Sequence, residues 1–246
     1  MTRLQRRALA AILAAAILAI AAMTFFSAAG RPVKFEPRPL AERPELLLLT
    51  TLPIVFPDEF TLDSERSPVL AALQDRYRVV PISIADRSSL ASHRLLLMAQ
   101  PQAQPAESLV ELDAWVRGGG RVLLLADPVL QWPSKRPLGD LLRPPVAFAD
   151  TGLLDHWGLE LSAPEELGRQ SIAVDRRKIE TVAPGELAAT SADCAVDPSR
   201  LLARCRVGKG FATIIADADF LDVPRTGPSN DQNLALLLGE LDRLDH

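Results

Sequence analysis

The chain has 246 residues, of which 48% are hydrophobic and 24% are charged, and its formal net charge is −4. This length is sufficient for one sizeable core, or for one core and a membrane segment. The acidic balance and an aromatic content of 5% exclude a basic surface rich in base-stacking side chains, so no nucleic-acid partner is expected.

Residues 1–30 are predicted to form a membrane anchor. Three arginines precede an uncharged run from Ala8 to Gly30, which is long enough to cross a bilayer as a helix. A cleaved signal peptide is the alternative, because Ser27-Ala28-Ala29 is a small-residue cleavage pattern. The apolar run is longer than the usual core of a signal peptide, which favours the uncleaved anchor.

Residues 31–43 are interpreted as a linker, since they contain three prolines and alternating charges without apolar periodicity. Basic residues flank the predicted anchor on both sides, so their count does not set the orientation. The signal-like start and a cysteine pair favour an extracytoplasmic domain. We therefore expect a single-pass inner-membrane protein whose main domain, residues 44–246, lies in the periplasm.

The first half of this domain predicts a strand–helix–strand pattern that occurs twice. Helices are expected to begin at Ser67-Pro68, with the serine as N-cap, and at Pro105, with the second ending at Gly118–Gly120. This order predicts right-handed crossovers and a mostly parallel, Rossmann-like α/β sheet with helices on both faces. The four predicted strands are Glu45–Thr51, followed by an irregular loop at Leu52–Pro57; Val79–Ile82, marked as an edge by Pro81; Arg94–Ala99; and Arg121–Ala126.

The second half is less regular. Residues 127–165 are rich in proline and are predicted to form a long loop insertion with a short helix at Gly152–Trp157. Residues 167–189 predict short antiparallel strands. A C-terminal β-hairpin is expected around a three-residue turn, Gly208–Gly210, with its second arm entering the main sheet. A final helix is expected to begin at Asn230 or Asp231.

Cys194 and Cys205 are the only cysteines of the chain. Two cysteines outside the cytoplasm most simply form a structural disulfide, and two separate thiols are the alternative. No glycine-flanked nucleophile turn surrounds either residue, so neither is expected to be a nucleophile.

Three aspartates, Asp127, Asp217 and Asp219, follow predicted strands at their carboxyl ends. Ligand sites in parallel sheets lie beyond these ends, so this is the expected location of a site. The three carboxylates could hold Mg²⁺, but capping of turns and helices is the preferred interpretation, and no metal is predicted. Neither glycine run matches a phosphate or dinucleotide loop, so no cofactor is predicted.

The long loop supplies the remaining candidates. We expect its polar and aromatic side chains to cover a binding crevice at the strand ends. The alternative is an Arg–Asp network that only stabilises the loop. The sequence has no serine on a nucleophile elbow that His156 could activate, so His156 is expected to be a packed or a surface histidine without a catalytic role. The predicted binding crevice comprises Asp127, Trp132, Arg136, Asp140, Arg143, Asp150, His156, Asp217 and Asp219.

Three segments together resemble the auxiliary-component domain of gliding-motility-type ABC transport systems. Leu112–Pro128 resembles the helix–glycine–strand unit of that domain, and Leu153–Leu161 resembles the helix, glycine and strand that follow it. Gly210–Asp219, followed by Asn230 and a leucine-rich helix, resembles its ending. The resemblance implies a fold similar to class I glutamine amidotransferases, without their catalytic cysteine and histidine.

The resemblance also implies an extracytoplasmic domain that works with a separate permease and ATPase. We therefore expect a non-catalytic binding or accessory domain of an ABC-type transport or envelope complex. The alternative is an amidotransferase-like or hydrolase-like enzyme that uses Asp127, His156 and the aspartates near position 217. A secreted, cleaved domain is a third interpretation.

Overall fold

The computed structural model describes residues 35–55, 67–137, 139–140, 142–226 and 230–246. All of them belong to one compact unit, Lys34–His246. The predicted anchor and the first part of the predicted linker, through residue 34, lie outside these residues, as does the end of the loop after the first strand. Within the described part of the chain, no helix combines the length and the hydropathy needed to cross a membrane.

The described chain contains eleven strands and six α-helices. The strands are β1 Glu45–Thr50, β2 Arg78–Ile82, β3 Leu95–Ala99, β4 Arg121–Leu125, β5 Leu159–Ser162, β6 Arg169–Val174, β7 Arg177–Val182, β8 Glu186–Ala189, β9 Cys194–Val196, β10 Leu202–Val207 and β11 Gly210–Ile215. The helices are α1 Pro68–Arg76, α2 Arg87–Leu90, α3 Ala106–Arg117, α4 Leu153–Trp157, α5 Val223–Thr226 and α6 Asn230–Asp245, and short 3-10 turns occupy Leu40–Glu42 and Asp219–Leu221.

Seven strands form the central sheet, in the order β2-β1-β3-β4-β11-β10-β9. The first five are parallel, whereas β10 and β9 are antiparallel additions. This arrangement confirms the predicted α/β class with a mostly parallel sheet. Every residue of β3 is buried, because the strand lies inside the sheet and its apolar side chains point to both covered faces. The proline-containing β2 lies at the edge, as predicted.

The local signals for helix ends are also confirmed. The Ser67 hydroxyl accepts a hydrogen bond from the Leu70 amide at 3.4 Å, and Pro68 is the first helical residue. After α3, Gly119 has a φ of 121°, which disfavours other residues. A Cβ atom at Gly120 would lie 2.4 Å from the Trp115 indole, so this glycine allows the chain to turn closely into β4.

The C-terminal hairpin differs from its prediction in one detail. Val207 pairs with Gly210, which leaves only Gly208 and Lys209 in the turn instead of three residues. Gly208 has a φ of 62°, a conformation that two-residue hairpin turns require and glycine tolerates. The arm β11 enters the main sheet beside β4, as predicted.

The predicted disulfide is confirmed. Cys194 of β9 and Cys205 of β10 are direct partners in the antiparallel ladder, and the bond joins them across it. The short strands predicted within residues 167–189 also form, as β6, β7 and β8, and β6 pairs with β7. The partner of β8 is β5, Leu159–Ser162, which lies at the end of the segment predicted as a loop insertion.

The second part of the predicted linker is docked on the domain and is not a free spacer. Arg38 forms ion pairs with Asp242 and Asp245 of α6, both at 2.9 Å, and its guanidinium lies over the Tyr77 ring. Its amide also donates to the Asp75 carbonyl. Arg38, one of the alternating charges of the predicted linker, therefore has its ion-pair partners about 200 residues away in the sequence.

Candidate functional site

The strand order places a topological switch point between β1 and β3. From β1 the chain continues to β2 on one side and then to β3 on the other, which leaves a crevice beyond the two strand ends. A cavity of about 570 Å³ opens there, and we call it the switch-point cavity. Its lining consists of Leu48, Leu49, Thr50, Thr51, Leu52, Pro53, Val55, Pro81, Ile82, Ser83, Gln102, Gln104, Arg136 and Leu142.

Two threonines at the end of β1 organise the floor of this cavity. The Thr50 hydroxyl donates to the Ala99 carbonyl at 2.8 Å, and the Thr51 hydroxyl donates to the Gln100 carbonyl at 2.6 Å. These bonds hold the ends of β1 and β3 together beyond the regular ladder. The crevice between the strands therefore has a fixed floor.

Two glutamines after β3 form one polar wall. The Gln104 side chain accepts from the Ala85 amide and donates to the Gln102 carbonyl, both at 3.0 Å. The Gln102 side chain donates to the Arg143 carbonyl at 3.1 Å, which connects this wall to the long loop. Three hydrogen bonds to the backbone thus hold the two side-chain amides in place.

The lining combines apolar side chains with hydroxyl, amide and guanidinium groups. None of the described lining residues is His, Cys, Asp, Glu or Lys, so the hydroxyl groups of Thr50, Thr51 and Ser83 have no general base of the usual kinds beside them in this lining. Arg136 contributes a guanidinium, which lies 3.6 Å from the Asp140 carboxylate. A mostly apolar lining with few polar groups and one positive charge is typical of a small-molecule binding site.

The three candidate aspartates do converge, at the ends of the neighbouring strands β4 and β11. Asp127, Asp217 and Asp219 each offer a carboxylate oxygen, and these oxygens all lie within 4.8 Å of one another. All three residues are at most 1% exposed. This buried cluster does not line the switch-point cavity, so it is a separate feature of the same edge of the sheet.

Backbone amides orient these carboxylates. Asp127 accepts from the Val129 amide at 2.8 Å and from the Ala218 amide at 3.0 Å. Asp219 accepts from the Gln131 amide at 2.6 Å. The three aspartates thus do cap turns, and through Asp127 and Asp219 they fix the first residues of the long loop. The third, Asp217, accepts from the Phe220 amide at 3.1 Å and from the Thr181 hydroxyl.

Burial raises the pKa of all three aspartates. Desolvation is the main reason that the pKa of Asp127 lies above its ordinary value. The pKa of Asp217 is raised further, by burial first and then by the charge of Asp127. Burial raises the pKa of Asp219 to about 7, although the amide of Gln131 opposes the shift.

The candidates of the long loop are not all brought to one place. Arg136 lines the switch-point cavity, whereas Trp132 packs against the core. The other three brace the loop locally. Arg143 donates to the carbonyls of Ser134 and Arg136, and the carboxylates of Asp140 and Asp150 accept from the Leu142 and Gly152 amides.

His156 lies away from the strand-end aspartates. Its Nε2 atom is 3.1 Å from an Arg117 nitrogen and 3.5 Å from the Asp113 carboxylate, at the end of α3 that leads into the start of β4. The reason is that α4 docks on α3, where the Trp157 indole donates to Asp113 at 2.9 Å. His156 therefore cannot act together with Asp127, and it belongs to a smaller cavity of about 270 Å³.

Several lining residues of the switch-point cavity were not singled out from the sequence, namely Thr50, Thr51, Ser83, Gln102 and Gln104. The only sequence signal for this lining is the irregular loop predicted at Leu52–Pro57, at the carboxyl end of the first strand. Of that loop, residues through Val55 are described, and Leu52, Pro53 and Val55 line the cavity.

No protein-family model matches the chain, and no curated protein sequence matches it. Solved structures are similar in fold. The N-terminal domain of mmIFT52 is 11% identical, with 80% of this chain and 95% of that chain covered and a TM-score of 0.52. Gan42B, a GH42 β-galactosidase from G. stearothermophilus, is 15% identical over 85% of this chain, with a TM-score of 0.50.

An exo-β-1,4-mannosidase, Op5Man5 from Opitutaceae bacterium strain TAV5, is 16% identical over 81% of this chain, with a TM-score of 0.49. The chain spans only 36% of this mannosidase and 30% of the β-galactosidase. At these identities the similarity concerns the fold alone. The mostly parallel sheet with its helices makes this chain an α/β domain, and a shared fold does not supply an activity.

Proposed function

We propose that this chain is a non-catalytic, extracytoplasmic binding component of an ABC-type transport or envelope complex, held in the inner membrane by its N-terminal segment. The switch-point cavity carries this proposal. It lies where parallel α/β sheets bind ligands, and its described lining contains no His, Cys, Asp, Glu or Lys that could serve as a general base or activate its hydroxyl groups. A ligand with an apolar body and an anionic group fits a lining that contains the Arg136 guanidinium.

Two further observations support parts of the proposal. The Cys194–Cys205 disulfide is typical of a domain outside the cytoplasm. The resemblance to the auxiliary-component domain supports a permease and an ATPase as partners, and a class I glutamine amidotransferase-like fold without its catalytic residues.

The enzymatic alternative has less support. An amidotransferase-like or hydrolase-like enzyme would need Asp127 and His156 in one site, and the structure separates them. Both cysteines are in the disulfide. The described lining of the switch-point cavity also lacks the pair of carboxylates that glycoside hydrolysis ordinarily requires, so the similarity to glycosidase chains does not supply an activity.

Binding at the cavity can be tested with 8-anilinonaphthalene-1-sulfonate, an apolar dye with one negative charge. We expect the full chain in mild detergent to bind it saturably with a fluorescence increase. Ser83 is exposed at the rim of the cavity, so Ser83→Trp should block binding without disturbing the core. The matched control is Ser92→Trp, on an exposed turn before β3. Equal dye binding by both variants would contradict the cavity as the site.

The transport assignment needs a separate measurement. We expect the tagged full chain to co-purify from membranes with an ABC-type permease and its ATPase in comparable amounts. Recovery of the chain without these subunits would contradict the assignment. Sequencing the N-terminus of the mature protein distinguishes the uncleaved anchor from a secreted domain.

A further inference from the structure

We propose that Asp127, Asp217 and Asp219 form a buried site for one divalent cation that prefers oxygen ligands, Mg²⁺ or Ca²⁺. Oxygens bound to one such ion lie about 2.0–2.6 Å from it, so they can be at most about 5 Å apart. The carboxylate oxygens of the three aspartates all lie within 4.8 Å of one another, which meets the limit for Ca²⁺. Mg²⁺, whose oxygen ligands lie about 2.0–2.1 Å away, requires them to approach to about 4.2 Å or less. The inference does not depend on the proposed function.

Two oxygens of the cluster are buried without a hydrogen-bond donor among the described residues. Asp217 Oδ1 and Asp219 Oδ1 are buried, and no hydrogen-bond donor of the described residues reaches either atom. Their residues are 0% and 1% exposed. Buried carboxylate oxygens are ordinarily hydrogen-bonded, paired with a cation or bound to a metal, so these two atoms require a partner.

The remaining oxygens are held in the way that metal ligands are held. Asp127 is fixed by the amides of Val129 and Ala218, and Asp219 by the amide of Gln131. Such hydrogen bonds orient a carboxylate and leave its other lone pairs available. Asp217 is held likewise, by Thr181 and by the Phe220 amide, through its Oδ2 atom. Its Oδ1 atom is therefore available to an ion, or to a proton shared with Asp127.

A bound cation would also explain how three carboxylates share a dry volume. Arg225 brings a positive charge near Asp219, but its guanidinium already donates to the Gln131 carbonyl. A divalent ion would offset the repulsion and join the ends of β4 and β11 to the start of the long loop. The main rival is a proton shared between Asp127 and Asp217, which would need no ion.

The test uses the full chain in detergent, stripped with EDTA and then titrated separately with MgCl₂ and CaCl₂ by calorimetry. We expect saturable binding of one ion per chain and a higher melting temperature with the ion than with EDTA. Asp217→Asn, which keeps the shape of the side chain, should weaken binding roughly tenfold or more. Asp222→Asn is the matched control, because Asp222 is a neighbouring buried acid outside the cluster, and this variant should bind the ion.

Two results would overturn the proposal. One is a wild-type chain that shows neither saturable binding nor a change in melting temperature at millimolar concentrations of either ion. This measurement needs no variant and stands even if Asp217→Asn fails to fold. The other is an ion effect of the same size in the wild type and in Asp217→Asn. If the melting temperature is the same with and without the ions but falls as the pH rises, the result supports the shared proton instead.

Discussion

The side chain of Gln100 holds both backbone groups of Asp127. Its Oε1 atom accepts from the Asp127 amide at 3.0 Å, and its Nε2 atom donates to the Asp127 carbonyl at 3.1 Å. The same nitrogen also donates to the Pro145 carbonyl at 3.1 Å. Gln100 is fully buried and has a φ of 45°. Its side chain joins the end of β3 to Asp127, at the start of the long loop, and to Pro145 within that loop.

Replacing this clamp by an apolar side chain of similar size should destabilise the fold strongly. Gln100→Leu leaves the amide and carbonyl of Asp127 and the carbonyl of Pro145 without their partner. Because each buried unsatisfied group costs about 1–3 kcal/mol, we expect a loss of about 3 kcal/mol in the free energy of unfolding by urea. Gln74→Leu, at an exposed position of α1, is the control and should change the value by less than about 0.5 kcal/mol. A similar small change for Gln100→Leu would refute the clamp.

The disulfide should contribute mainly by restricting the unfolded chain. Its cysteines are 11 positions apart, and closure of a loop of this size stabilises by about 3 kcal/mol in the chain-entropy model. The double variant Cys194→Ala with Cys205→Ala should lose about that amount. Urea unfolding of the reduced wild type provides the comparison. Equal stability of the oxidised wild type and the double variant would contradict the expectation.

The docked segment near Arg38 depends on one carboxylate of α6. Asp242 accepts from the Tyr77 hydroxyl at 2.7 Å and pairs with Arg38 and Arg76. Burial first, and then Asp242, raise the pKa of Tyr77, so its hydroxyl stays protonated and donates. Asp242→Ala should cost about 2 kcal/mol and increase hydrogen exchange at residues 35–43.

Asp245→Ala is the matched control for this prediction. Asp245 lies on the same helix and contacts the same segment, but among the described residues its ion pair is with Arg38 alone. We expect a loss of less than about 1 kcal/mol, as for a partly exposed ion pair. If the two variants have equal effects on exchange at residues 35–43, Asp242 is not the anchor of the segment.

The contact between α3 and α4 predicts a pH-dependent contribution from Asp113. Burial alone would raise the pKa of Asp113, but hydrogen bonds from Arg117 and Trp157 outweigh it and bring the pKa below the ordinary 3.8. A carboxylate with a lowered pKa stabilises the fold above 3.8, and this stabilisation is lost as the pH falls through the folded-state pKa. Asp113→Ala should therefore cost about 1–2 kcal/mol at neutral pH, and less in acid.

Urea unfolding of wild type and Asp113→Ala at several pH values shows whether the stability difference between them shrinks as the pH falls. His156→Ala is the companion variant, since His156 is largely exposed and lies on the same contact. It should change stability by less than about 0.5 kcal/mol and leave dye binding at the switch-point cavity unchanged. A loss of dye binding in His156→Ala would instead support the enzymatic alternative with one shared site.

The sequence predicts those parts of the structure that depend on local pattern. The apolar runs at β1, β3 and β4 are recognisable because strands covered on both faces have no polar side. Ser67-Pro68 marks the start of α1 by its capping chemistry. The convergence of Asp127 with Asp217 could also be anticipated, because both residues follow strands of one parallel sheet.

What the sequence does not predict depends on spatial order. The sequence does not determine the order of the strands in the sheet, in which β1 lies between β2 and β3. The switch point and its threonines, Thr50 and Thr51, therefore cannot be located from the sequence. His156 follows Asp127 by fewer than thirty residues, yet the helix that carries it docks on α3 through Trp157. Arg38 was interpreted as part of a spacer because its partners, Asp242 and Asp245, lie at the other end of the chain.

Both edges of the central sheet are poorly suited to accept another strand. At one edge, Pro81 removes a backbone donor from the five-residue β2, and at the other, β9 has only three residues. A peptide or a second copy of the chain would therefore gain few main-chain hydrogen bonds by lateral pairing. For the proposed binding function, this leaves the ends of the central strands, with their loops and cavity, as the better-suited part of the central sheet.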